Sequence, residues 1–122
     1  MFQPATQLVS LPVFVVIHEW TRIINGHEKE SSCEIIDVRH DEASAMKCRD
    51  DTIESICERR KREKYRIEVR KDSSGDAHIY AQPETDWFRS FRKDYVTIAD
   101  YTMHVPINFL EDALRKENSY AN

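Results

Sequence analysis

Glycine is nearly missing from this chain: 122 residues hold two, Gly26 and Gly75. Loops that cradle phosphate need several glycines, because only bare backbone can approach the anion closely. A P-loop, a dinucleotide-binding turn and a kinase-type glycine loop are therefore excluded. The nucleophile elbow G-x-S-x-G is absent as well. Cysteine is scarce and odd in number, with Cys33, Cys48 and Cys57. That count, without paired spacing, argues against a disulfide framework. Cys48 and Cys57 fall nine residues apart in a predicted helix. At roughly 100° per residue they point to opposite sides and cannot bridge. Long apolar runs are missing too. Val13–Ile17 is far too short to cross a bilayer, and Met1 to Pro12 has no basic leader region. A cytoplasmic protein with no membrane partner is the expectation.

Bulk charge narrows the classes further. The chain carries a formal charge of −4, with 33% charged and 40% hydrophobic residues. An acidic balance argues against indiscriminate binding to nucleic acid or membrane by the molecule as a whole. The high charged share suits a thin two-layer domain rather than a deep enzyme core. At this length one domain, 1–122, is expected, because two would each bury too little apolar surface. Segments 1–12 and 116–122 read as flexible ends.

Val13-Phe14-Val15-Val16-Ile17 is a β-branched and aromatic run, the pattern of a central strand buried on both faces. His18 to Thr21 extends it toward a turn at Asn25-Gly26. A second strand reads over Glu34–Arg39, giving an antiparallel hairpin with a long polar loop. Asp41 is the expected N-cap of a helix running from Glu42 to about Lys64, a stretch without Gly or Pro. Ala45, Met46, Ile53, Ile56 and Cys57 form its apolar stripe, with Arg49 and Arg60 at the edges. Acids lead and bases finish, matching the helix macrodipole. Tyr65, Ile67 and Val69 alternate with charges as a half-buried strand, and Asp72–Asp76 turns the chain into Ala77–Ala81. Trp87, Phe88 and Phe91 sit at helical spacing. A last strand, Tyr95 to Val105, precedes a short helix with a capping-box-like start at Asn108 and Glu111. The expected fold is α+β: one mainly antiparallel sheet of about five strands, covered by one long helix, with a short C-terminal helix.

Three stretches resemble a family of small bacterial and phage α+β proteins that has no assigned activity. They are Val13–Glu19, Ile35–Val38 followed by Asp41-Glu42-Ala43, and Tyr95–Met103 with its spaced tyrosines. The resemblance implies the fold and a prokaryotic or phage origin, and supplies no reaction.

Several constellations carry chemistry on paper. His18-Glu19 opens like the zinc motif H-E-x-x-H, but Arg22 stands where the second histidine belongs. His18, His27 and His40 could converge, with Glu19, Asp37 or Cys33 as extra ligands, in a small metal-dependent enzyme. Glu19, Asp37, Asp41 and Glu42 could pair as acid and base, although capping explains the last two. Residues 59–71 hold eight bases against two acids, and Trp87–Lys93 interleaves rings with cations. Arg59, Arg60, Lys61, Arg62, Trp87, Arg89, Phe91 and Arg92 would then form a nucleic-acid surface. Residues 28–58 hold ten acids against four bases, a face able to mimic a phosphate backbone. On that face Asp41, Glu42, Asp50, Asp51 and Glu54 are the expected partner-binding residues. The reading favoured by these features is a non-catalytic protein-binding module, an inhibitor of a nucleic-acid-handling enzyme encoded by a phage or mobile element. No catalytic residue, metal or cofactor is expected, and an exposed edge strand leaves room for a homodimer.

Overall fold

Two long strands form the backbone of the domain. In the computed structural model, which describes residues 7–83, 90–109, 111–112 and 115, β1 spans Leu8–Ile24 and β5 spans Phe91–Pro106. They pair antiparallel without interruption from Leu8 opposite Pro106 to Ile23 opposite Phe91. The remaining elements are β2 (His27–Arg39), α1 (Glu42–Arg62), β3 (Tyr65–Lys71) and β4 (Ala77–Pro83). All pairings are antiparallel, in the order β2-β1-β5-β4-β3. Helical backbone resumes at residue 107, so the α+β architecture stands as the sequence implies.

The period-2 rule fixes which side chains meet the helix. Phe14, Val16 and His18 of β1 share a face with Asp94, Val96 and Ile98 of β5, and with Ala77 and Ile79 of β4. Against this face α1 lays Ala45, Ile53 and Ile56, closing a core with Val16, Ala77, Ile79 and Val96. The small residues Ala45 and Ala77 let helix and sheet approach. Asp41 caps α1 by accepting the Ser44 N–H at 2.8 Å, as its position predicts. The face turned away from α1 carries the buried Val13, Val15 and Val105 together with the exposed Ile35, Val38 and Tyr101.

Six expectations change. The run Val13–Ile17 is interior, flanked by β2 and β5, but the middle strand of five is β5. Residues 8–12 are not a loose end, because they pair along β5. The polar stretch after Gly26 is strand rather than loop. Asn25 and Gly26 adopt φ values of 55° and 77°, which makes a tight hairpin turn of the kind that matches strand twist. β2 is an edge strand exposed almost throughout, and such a strand can be polar on both faces and so read like a loop. Two irregularities in the β1–β2 register absorb Ile36 and Lys29. Met46 is 39% exposed, while Arg49 and Arg60 are buried at 4% and 2%. The inner line of α1 is therefore Ala45, Arg49, Ile53, Ile56 and Arg60, and the arginines lie inside it rather than at its edge. Phe91 belongs to β5 opposite Ile23, not to a helix, whereas Trp87, Phe88 and Arg89 lie outside the described residues. Finally, residue 107 is already helical, so Asn108 sits inside the first turn, where its Oδ1 accepts the Phe109 N–H.

Candidate functional site

Burying a charge is costly unless partners replace its lost water. Of the four buried polar side chains described, three form one chain of contacts: His18, Asp94 and Arg60. His18 Nε2 lies 2.8 Å from Asp94 Oδ1, and its Nδ1 lies 3.1 Å from Glu34 Oε1. Arg60 reaches Asp94 from the helix, with Nε and Nη2 each 3.4 Å from a carboxylate oxygen, and its Nη1 donates to Glu63 at 3.0 Å. Arg92 adds a contact to Asp94 at 3.5 Å and stacks over the Trp20 ring at 4.4 Å. The fourth buried charge, Arg49, is held separately by the Ser74 carbonyl and Asp76.

The contacts of His18 favour its protonated form. Ionised carboxylates only accept, so the two contacts are both satisfied when each ring nitrogen carries a proton, as in the imidazolium. Burial by itself disfavours that cation. The hydrogen bonds to Asp94 and Glu34 outweigh it, holding the pKa above the ordinary 6.5. For Asp94 burial pushes the carboxyl upward, but the bonds from His18 and Arg60 prevail, and its pKa lies below the ordinary 3.8. Three cations (His18, Arg60, Arg92) thus face three carboxylates (Asp94, Glu34, Glu63).

Above this network, between α1 and the β1–β2 pair, runs a groove of about 570 Å³ with His18 and Glu34 in its lining. Arg39 enters from β2, while Lys47, Asp51 and Arg59 enter from α1. Cys48, Thr52 and Ser55 complete a row of nucleophilic side chains, but Thr52 donates its hydroxyl proton to the Cys48 carbonyl at 2.7 Å. With both imidazole nitrogens donating, His18 has no free lone pair to take a proton from Cys48 or Ser55. The arrangement can present positive charge and hydrogen-bond donors. While protonated, the ring cannot accept a further proton.

The other predicted site residues are dispersed. His27 sits at the hairpin turn opposite Ile24, and His40 Nδ1 faces the Pro12 carbonyl at 3.4 Å, so neither approaches His18 as a co-ligand. Among the described residues no three His, Cys, Asp or Glu side chains converge as metal ligands. Glu19, next to His18 in a strand, points to the opposite face. Asp37 accepts from the Val38 N–H and pairs with Arg39 at 2.6 Å, and Cys33 is exposed. Of the five acids expected to meet a partner, Asp41 is spent on the cap, Asp50 contacts Arg49, and Asp51 pairs with Lys47 at 2.9 Å. Glu42 and Glu54 are exposed. The basic set divides similarly. Arg60 and Arg92 are drawn into the Asp94 network, Arg59 lines the groove, and Lys61 and Arg62 stay exposed at the helix end.

Asp94 and Glu34 escaped the sequence reading. Asp94 lies one residue before the expected strand Tyr95–Val105, and carrying that strand's period of two back from Val96 would have put it on the same face as Val96. Glu34 gave no such signal, because β2 pairs through a bulge that shifts its faces. No protein-family model, no curated protein and no solved structure matches the chain.

Proposed function

We propose that the chain is a non-catalytic protein-binding module. The observation that carries this is exposed apolar surface on the sheet face turned away from α1. On it Ile35 is 67% exposed and Tyr101 60%, joined by Val38 and Met103. Pairing places these four beside Ile17, Val13, Val15 and Leu11 respectively, so they form one surface rather than scattered side chains. Contiguous exposed apolar surface marks contact sites. It lies next to the outer edge of β2, a 13-residue strand that pairs there with no other described strand and could accept an added one. In its finer form the module is a phage- or mobile-element-encoded inhibitor of a nucleic-acid-handling enzyme. The solvent side of α1, with Glu42, Asp50, Asp51 and Glu54, would then meet a basic groove.

Tagged protein recovered from source-cell lysate at physiological salt tests both forms. Loss of a specific partner with Ile35→Lys or Tyr101→Lys supports the sheet face. Loss with Glu42→Lys/Glu54→Lys supports the inhibitor form. A partner retained by all variants, or no partner at all, refutes the proposal.

A second reading, single-stranded nucleic acid, is favoured by one feature of the same sheet face. His78 stacks on Tyr95 at 4.2 Å, and Arg70 and Lys93 lie 5.2 and 5.7 Å from the Tyr80 ring centre. Rings flanked by cations are what bases and phosphates require. This reading predicts salt-sensitive retention of oligonucleotides that Tyr95→Ala abolishes. No retention at low salt removes it.

A further inference from the structure

We propose that the groove between α1 and β2 is a binding site for a small oxyanion, a carboxylate or phosphate group, which takes the place the Glu34 carboxylate holds on His18. The two sides of the imidazole differ. Nε2 is bonded to Asp94, which has no exposed surface, whereas Nδ1 is bonded to Glu34, whose side chain is 60% exposed on an edge strand. One partner is locked in the core and the other can leave for water. When Glu34 swings out, Nδ1–H becomes a charged donor lining the groove.

The rest of the lining suits an anion. Arg59 is exposed, lines the groove, and is paired with no carboxylate among the described residues. Arg39 lines it from the other wall, with Nε buried and lacking an acceptor. Lys47 is balanced by Asp51, and the remaining nitrogens of Arg39 by Asp37 and Ser44. With Glu34 gone, His18 keeps Asp94 on Nε2 but offers an unpartnered Nδ1–H to the groove, across from the unpaired Arg59. A volume of about 570 Å³ suits a small organic molecule rather than a macromolecule. Glu34 is an internal competitor for the ligand, not a contact to it. This site is independent of the protein-binding reading and would survive its failure.

The test follows the His18 ring nitrogens by NMR during separate titrations with inorganic phosphate and with citrate, at mildly acidic pH and constant ionic strength. We expect a saturable shift at Nδ1 with at least one of them. The arm that saturates identifies phosphate or carboxylate as the preferred group. Glu34→Gln should tighten binding by roughly tenfold, about 1.4 kcal/mol, because the competing charge is gone. Arg59→Ala should weaken it by a similar factor. Three results overturn the proposal: no saturable shift in either wild type or Glu34→Gln, weaker binding by Glu34→Gln, or a shift that Arg59→Ala leaves unchanged. Should Glu34→Gln fail to fold, the wild-type and Arg59→Ala titrations decide alone.

Discussion

His18 of β1 and Asp94 of β5 are 76 residues apart in the chain and 2.8 Å apart in space. They are not directly opposite in the ladder. His18 pairs with Val96 and Asp94 with Trp20, so the contact is the diagonal one that long side chains can span. Arg60 then fastens this pair to α1. Two strands and the helix are thereby joined through one carboxylate. Replacing Asp94 with alanine strands two buried cations, which predicts a loss of about 3–5 kcal/mol in urea unfolding. A loss under 1 kcal/mol, on the order of an exposed pair, would show that the network is not closed in solution.

The same pair sets how stability varies with pH. His18 has its pKa raised, so its contribution is complete below the unfolded value of 6.5 and fades as pH rises through the higher folded value. Asp94 has its pKa lowered, so its contribution is complete above 3.8 and lost as pH falls through the depressed folded value. Both are present together between 3.8 and 6.5. Urea midpoints measured across pH should decline on the alkaline side of that window. His18→Gln should flatten the alkaline decline while leaving the acid side in place.

The two glycines predict unequal costs. A β-carbon at Gly75 would stand 2.5 Å from Arg49 Nη2, and the residue holds φ at +96°. Gly26, at φ +77°, has nothing within 4 Å of such a carbon. Gly26→Ala should cost about 1 kcal/mol from backbone conformation alone. Gly75→Ala should cost more, since Arg49 must also move from the Ser74 carbonyl. Thermal unfolding of both variants, with Gly75→Ala repeated in an Arg49→Ala background, separates the two contributions. Equal costs would exclude the steric part.

Thiol reactivity should rank by position. Cys33 is exposed on β2, while Cys48 and Cys57 are half-buried on α1. Burial pushes the Cys57 thiol above 9.0 despite Lys61 and Lys71 nearby, and the thiolate is the reactive form. Timed labelling with a thiol reagent should modify Cys33 first and Cys57 more slowly. Cys57 reacting first in folded protein would contradict this packing.

Ile35→Lys should leave stability within about 0.5 kcal/mol of wild type, because its side chain is 67% exposed on the sheet face turned away from α1. That makes it a clean probe of partner binding. A larger loss in urea unfolding would mean that this face is covered in the free protein.

The β-branched run Val13–Ile17, the alternation of Tyr65–Val69, the uninterrupted stretch after Asp41, and the turn residues near Gly75 make α1 and most of the sheet legible in the chain. Local rules suffice there, since a cap, a helix without breakers and a period of two are each written within a few neighbours. The polar strand β2 was less legible. Its half from Glu34 was read as strand, but Glu28 and Glu30 carry no hydrophobic signal, and pairing with β1 holds them extended.

Composition alone excluded phosphate-loop and elbow chemistry, and charge order along 41–64 oriented the helix. The tertiary fold decided what the charged residues mean. Arg60 belongs by sequence to a basic run and by structure to the core. His18 looks like a strand-end residue until β5 delivers Asp94 and β2 delivers Glu34. Sequence fixes the period of each element, but which charges neutralise one another depends on strand order and register, and those are settled only when segments distant in the chain pack together.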